Sequence, residues 1–236
     1  MADILFIAGS TALTTVTTSV TVTKPAGVTK GDVMIAAISI GASPIVALLN
    51  GWRELPGSPV EVNVTGGSGG AILVRLHVYT RVADDGEPAS YTWDLEGATT
   101  ASFAAAIVAY RNVDNTSPVN VSAKIGTASG PTTTVPGFTT TVDKAMQVAI
   151  YSIDTLGTYT PPSGMAERTD VESGFPRHLV STSDVLLGTA GAVGSKTATP
   201  SLTGTSGAFS VALEPAVVPT IVIGAPPGLP EDIAGG

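Results

Sequence analysis

Apolar and polar residues alternate in the first part of the chain. Between Val16 and Thr23 the valines occupy even positions, and threonine fills most of the others. A period of two residues places alternate side chains on opposite faces of a strand, and both residue types favour extended backbone. Clusters of Gly, Pro, Asn and Asp recur at short intervals, as at 24–27, 66–70 and 84–88. These patterns predict an all-β protein, built as a sandwich or a barrel.

One segment, residues 100–110, is ambiguous. Three consecutive alanines at 104–106 favour a helix, because alanine has the highest helix propensity. The apolar residues Ile107 and Val108 follow directly, and the segment has a counterpart later in the chain that reads as a strand. We therefore predict a buried strand here.

The chain resembles itself at a fixed spacing. Pro25 and Asp32 match Pro136 and Asp143, since 136 − 25 and 143 − 32 both equal 111. An apolar segment with the character of a strand follows each aspartate. A repeat of this length is typical of a duplicated structural unit.

Two later matches keep the same order. Gly51 corresponds to Gly164 at a spacing of 113, and Phe103 corresponds to Phe209 at a spacing of 106. We therefore predict duplicated β-sandwich units, jelly-roll-like, and leave open whether they form two sandwiches or one merged β-body. The predicted division is an N-terminal segment at 1–11, a first unit at 12–113, a connection at 114–123, a second unit at 124–214, and an extended Pro-rich C-terminal arm at 215–236.

The C-terminal arm is rich in both proline and apolar residues. Prolines keep a segment extended and prevent it from packing as a helix. We expect a neighbouring subunit to hold this arm, for example by strand addition to an open sheet edge. The predicted assembly contacts are its large apolar residues Val217, Val218, Ile221, Val222, Ile223 and Leu229.

Composition narrows the classes of partner. Charged residues make up 13% of the chain, about half of what is usual in soluble domains, which suits a crowded assembly. The net charge of −8 without a basic stripe argues against nucleic acid as a partner. No apolar run is long enough for a membrane span, and the first eight residues lack the basic region of a signal peptide. Without cysteine, the chain has neither disulfides nor a thiolate zinc site.

No catalytic site is recognisable in the sequence. His77 falls on what we predict to be the polar face of an amphipathic strand, and His178 in a loop or at a strand start. Asp94 and Glu96 share a strand face as a glycosidase pair would, but charges at a solvated strand end explain them more simply. The turn at 84–88 lacks the spacing of a calcium loop. We predict no enzyme activity, no catalytic, cofactor-binding or metal-ligating residue, and no cofactor.

Two aromatic residues are candidates for a binding surface. Tyr91 and Trp93 alternate on one predicted strand and so share a face, which is the arrangement of an exposed sugar-binding platform. The alternative is that each ring anchors the core or an interface. Large rings are few in this chain, so the second interpretation is favoured.

Several strand-and-turn motifs together carry a family resemblance. They are 25–38, with its Pro-Ala-Gly and Gly-Asp before an apolar strand, then Gly51-Trp52, then 77–88, and then 109–119 with Tyr-Arg-Asn-Val-Asp. These motifs resemble a family of β-rich domains found in the tails and virion surfaces of bacteriophages that infect actinobacteria, and in some bacterial surface proteins. The resemblance covers roughly residues 20–215, and it carries over no catalytic residue.

The resemblance implies a virion structural protein that is assembled in the host cytoplasm. We expect a tail-associated component, either a minor tail or a tail-tip subunit. Its partners are then other copies in a trimer or ring, other virion proteins, and a glycan of the host surface. A capsid decoration protein and a free carbohydrate-binding module are the alternatives.

Overall fold

The computed structural model describes residues 2–41, 45–63, 72–97, 99–174 and 177–217. These residues form eighteen strands and no helix, which confirms the predicted all-β fold. In chain order the strands are β1 Leu5–Thr17, β2 Ser19–Thr23, β3 Val33–Gly41, β4 Arg53–Glu54, β5 Val60–Asn63, β6 Ile72–Val82, β7 Ser90–Asp94, β8 Ala101–Arg111, β9 Val119–Gly130, β10 Thr133–Val135, β11 Phe138–Thr140, β12 Met146–Ile153, β13 Tyr159–Thr160, β14 Ala166–Glu172, β15 Leu179–Leu186, β16 Gly191–Val193, β17 Lys196–Pro200 and β18 Gly204–Leu213.

Two large antiparallel sheets form the centre of the molecule. The first has the strand order β1-β8-β3-β6-β4, with β5 also pairing with β6, and the second has the order β14-β15-β12-β18-β9. Smaller groups of strands, β2-β7 and β10-β17-β13, contribute to the cores on the outer faces of the first and second sheets respectively. A further pair, β11-β16, belongs to the second half of the chain. Both large sheets are therefore covered on two faces.

The central core lies between the two large sheets. Ile35 and Val108 of the first sheet pack with Val148, Phe209 and other apolar residues of the second. At the edges, β1 lies against β14 and β5 lies against β9. The two halves thus share one core and form a single merged β-body, which answers the question that the sequence left open.

The two sheets repeat one arrangement of strands. Val33 of β3 pairs with both Val82 and Tyr110, as Met146 of β12 pairs with both Leu186 and Leu213. The spacing of these equivalent strands is 146 − 33 = 113, the same as between Gly51 and Gly164, which both have φ of +80°. This shared order supports the predicted duplication, while its jelly-roll-like form stays a prediction.

Two of the sequence matches are not equivalent in space. At a spacing of 113, Asp143 falls two residues short of the position of Asp32, which lies directly before its strand. Phe103 packs on the outer face of the first sheet, whereas Phe209 packs in the central core. The strand pairing makes Phe209 equivalent to Ala106, three residues from Phe103, and an odd difference in register places a side chain on the opposite face of its sheet.

The structure moves the boundaries of the predicted units. β1 begins at Leu5, so most of the predicted N-terminal segment belongs to the first sheet. β9 begins at Val119, inside the predicted connection. Pro215 forms a β-bridge with Val113, which ties the start of the predicted arm to the body. Strand pairing with distant residues decides each of these limits.

The ambiguous segment at 100–110 is a strand, as predicted. β8 pairs with β1 on one side and β3 on the other, and its residues 101–110 are buried. Ala104 and Ala106 face the central core while Ala105 faces the outer one. A strand buried on both faces is apolar throughout, which hides the alternation that identifies a strand.

Candidate functional site

An ion pair closes the end of the first sheet. Arg111 Nη2 donates to Asp32 Oδ2 at 2.7 Å and Arg111 Nε donates to Oδ1 at 2.8 Å, a bidentate geometry. Burial by itself raises the pKa of the Asp32 carboxyl, but hydrogen bonds from Arg111 and from the Thr29 N–H outweigh it and hold the pKa below its usual value. The pair joins the end of β8 to the turn before β3, and its role is structural.

A second buried network joins the two halves. Asp184 Oδ2 accepts from the Tyr110 hydroxyl at 3.0 Å and from Arg168 Nε at 2.9 Å. The guanidinium carbon of Arg168 lies 4.1 Å from the ring centroid of Phe6, a cation–π contact. Burial, and then the Asp184 carboxylate, raise the pKa of Tyr110 well above its usual value. These groups stabilise the interface between the sheets.

His178 belongs to a third link between the halves. The imidazole is fully buried, with Nδ1 3.0 Å from Ser173 Oγ and Nε2 3.0 Å from the Ser39 carbonyl oxygen. Ser39 Oγ also lies 2.9 Å from Ser152 Oγ. Both ring nitrogens are engaged, and the ring is enclosed, so the geometry gives His178 a packing role and no access to a substrate.

His77 is buried against the expectation of a polar strand face. Its Nδ1 lies 2.8 Å from Glu54 Oε1, and its ring stacks on Tyr79 with centroids 5.9 Å apart. The hydrogen bond from His77, more than offsetting burial, lowers the pKa of the Glu54 carboxyl. The face is covered because β2 and β7 contribute their side chains to the outer core next to β6.

Tyr91 and Trp93 do not form an exposed platform. Their exposed fractions are 4% and 0%, and both rings contact Trp52, with centroids 5.1 and 5.2 Å apart. Alternation along β7 does place them on one face, but that face packs onto the first sheet. The structure therefore corrects the surface-binding role and supports the core-anchor interpretation.

A polar cleft of about 480 Å³ lies beside Arg81 and the edge of Tyr91. Arg81 Nε donates to the two carboxylate oxygens of Glu87 at 2.8 and 3.0 Å, and the Tyr91 hydroxyl donates to the same carboxylate. Burial, and then the hydrogen bond to Glu87, raise the pKa of Tyr91. The charged groups of this cleft are thus engaged with one another.

Asp170 on β14 is a half-buried carboxyl group with a raised pKa. Its Oδ2 accepts the Tyr159 N–H at 2.7 Å, while its buried Oδ1 has no partner. Burial, and then the nearby Glu167 and Glu172, raise its pKa to about 6. The cleft that Asp170 lines also contains Glu167 and Arg168, and Arg168 is engaged with Asp184 through its Nε at 2.9 Å. A raised pKa in a cleft is a feature of acid–base catalysts and also of structural carboxyl groups that are buried beside other acids.

The central core opens to the surface at one end of the molecule. An apolar groove of about 410 Å³ lies between the start of β1, the start of β14 and the end of β15. The buried side chains of Ile4 and Met146 form its floor, and Leu5 and Leu186 stand at its rim with 51% and 38% of their surface exposed. Sequence reasoning missed this groove, because its residues come from four separate segments of the chain.

The described chain ends beside this groove. Ala216 N donates to the Asn112 carbonyl oxygen at 2.8 Å, and Asn112 Nδ2 donates to the Asp3 carbonyl oxygen at 2.9 Å. Asp3 directly precedes Ile4, the first residue of the groove. Val217, the last described residue, is 65% exposed. The predicted assembly contacts Val218, Ile221, Val222, Ile223 and Leu229 lie outside the described residues.

The remaining findings concern metal ligands, membrane-spanning helices and similarity to known proteins. In the described ranges, no three His, Cys, Asp or Glu side chains lie close enough together to hold a metal ion. The described part of the chain also contains no helix with the length and apolar character needed to cross a bilayer. Comparison with family models, with curated proteins and with solved structures finds no match for this chain.

Proposed function

We propose that this chain is a non-enzymatic structural protein of a bacteriophage virion, associated with the tail as a minor tail or tail-tip component. The motifs at 25–38 and 77–88 support this through their family resemblance. One structural observation carries the non-enzymatic part: in the described residues, the buried reactive groups of Tyr110, Asp184 and His178 are hydrogen-bonded across the shared core. Such groups stabilise a rigid body, as an assembly component requires.

The surface at the end of the body supports assembly with neighbouring subunits. The apolar groove, the exposed rim residue Leu5 and the exposed Val217 all lie at this end. Contiguous exposed apolar surface is typical of interaction sites. The partners we propose are further copies of this chain, in a trimer or ring, and other virion proteins.

The burial of Tyr91 and Trp93 argues against the carbohydrate-binding module, since that function needs an exposed aromatic face. Capsid decoration remains the alternative, because a compact β-body with a C-terminal arm suits both positions. A host-surface glycan remains part of the proposal only as a ligand of the assembled particle.

Immunogold labelling of purified particles tests the proposal. Particles from the source culture are banded on a density gradient, and an antibody against the purified chain is imaged by electron microscopy. Gold at the tail supports the proposal, and gold over the head favours capsid decoration. Absence of the chain from every particle fraction overturns both.

A truncated chain tests the role of the arm separately. Removal of residues 218–236 leaves every described strand in place, so the truncated chain should still fold and unfold in one cooperative transition. We expect the truncated chain to be excluded from particles. Normal incorporation would show that the arm makes no essential contact with a partner.

A further inference from the structure

We infer that the apolar groove at the end of the central core binds the chain's own C-terminal segment, residues 217–229, while the chain is unassembled. This goes beyond the proposed function, because it concerns the free chain and assigns a receptor site for the arm. Three features of the molecule support this binding: the position of the groove, the chemistry of the segment and the distance between them.

The groove is an interruption of the core. Ile4 and Met146 belong to the central hydrophobic cluster, and their side chains form the groove floor. Leu186 ends β15 opposite Met146, with which it pairs across the ladder. Apolar side chains placed here would therefore extend the packing between the two sheets. Removal of this surface from water is the main driving force for such binding.

The chemistry of the segment matches the groove. Residues 217–229 contain seven residues of the Val, Ile, Leu and Ala types and no charged residue, and charges resume only at Glu231. The two charged groups of the groove, Arg168 and Asp184, form an ion pair at 2.9 Å. The groove thus offers no unpaired charge that an uncharged segment would leave desolvated.

The distance favours binding within one molecule. The backbone at Ala216 is two hydrogen bonds away from Asp3, which adjoins the groove. Ile221 to Ile223 begin four residues beyond Val217, and an extended chain of that length spans about 13 Å. A tethered segment also has a local concentration in the millimolar range, about that given by a short flexible linker. Intramolecular binding therefore precedes contact with a second copy.

Hydrogen exchange of the full chain, followed by mass spectrometry, tests the inference. The amides of 217–229 should exchange at least about tenfold more slowly than those of an unstructured peptide of the same sequence. Leu5→Glu places a charge at the groove rim and should remove this protection. Leu13→Glu is the matched control, since Leu13 lies on the same strand with 55% exposure but outside the groove, and it should leave the protection unchanged.

The same exchange measurement reports whether the variants are folded. Unchanged amide exchange in β3, β8 and β12 shows that Leu5→Glu remains folded. If Leu5→Glu does not fold, the comparison is repeated with Leu186→Glu as the groove variant and Leu202→Glu as its exposed control. Exchange of 217–229 at the unstructured rate in the wild type overturns the inference. Equal effects of the two charged variants do the same. Protection that increases with protein concentration would assign the groove to a second copy and also overturn it.

Discussion

Replacement of Asp170 with asparagine should change the way in which the stability of this protein depends on pH. The carboxyl is half-buried on β14, and its Oδ2 accepts the Tyr159 N–H at 2.7 Å. Asparagine is of the same size, and its side-chain oxygen can accept the same hydrogen bond. The substitution therefore removes the charge with little change in packing.

The magnitude follows from the pKa. Burial, together with the nearby acids Glu167 and Glu172, raises the pKa of Asp170 from 3.8 to about 6. Each pKa unit corresponds to about 1.4 kcal/mol, so the charged carboxylate can lower the free energy of unfolding by about 3 kcal/mol at most. Since the group reaches the surface, solvent screening reduces our expectation to about 1–2 kcal/mol.

The sign follows from proton binding. Between pH 4 and 6 the folded state binds this proton more tightly than the unfolded state does, because its pKa is the higher one. The stabilisation by the protonated carboxyl is complete below about pH 4 and is lost as the pH rises through about 6. At pH 7.5 the wild type therefore carries an unfavourable buried charge that Asp170→Asn lacks.

Urea unfolding at pH 4.0, 5.0, 6.0 and 7.5 measures the effect. We expect the free energy of unfolding of Asp170→Asn to exceed that of the wild type by about 1–2 kcal/mol at pH 7.5. The difference should approach zero at pH 4.0. The contributions of Asp32 and Glu54 are common to both chains and cancel. Asp85→Asn, at an exposed turn, is the control, with an expected change below about 0.5 kcal/mol. A difference between Asp170→Asn and wild type that is constant across the pH range would refute the argument.

Two further substitutions test the shared core. Phe209→Ala should lower the free energy of unfolding by about 3–5 kcal/mol, because Phe209 is fully buried in the core that both halves form. Calorimetry should still show a single cooperative transition, and two separate transitions would contradict the merged body. Tyr110→Phe removes one donor to Asp184 Oδ2 and should lower the free energy of unfolding in urea by about 1–3 kcal/mol, since the carboxylate stays buried. A loss below about 0.5 kcal/mol would show that this hydrogen bond contributes little.

The shared core links these predictions to assembly. Because the two sheets share one core, a destabilising substitution in either half should lower the free energy of unfolding of the whole body. A neighbouring subunit would then bind to a surface that unfolds only with that body. At the groove this core is open to the surface. Occupancy of the groove would add to stability as well as to recognition, since binding to the folded state alone raises the free energy of unfolding.

The sequence by itself determined the class of fold and the strands of the two halves. The period of two at 16–23 predicts extended backbone, which the structure divides between β1 and β2, and the apolar segments of β3 and β12 predict buried strands. The apolar segment of β8 is ambiguous by itself, and its counterpart in the second half favours a strand. The repeat spacing of Gly51 and Gly164 is also the spacing of the equivalent strands in space. Local order of this kind depends on neighbours in the chain.

Only the tertiary structure decided which strand faces are covered and which residues meet. Alternation showed that His77 and Tyr79 share a face, and that Tyr91 and Trp93 share another, but burial depends on the strands that pack there. The match of Phe103 with Phe209 failed for the same reason, since a sequence match does not specify a face. The groove draws Leu5, Met146 and Leu186 from distant segments, and pairing across such distances is determined by the packing of whole sheets.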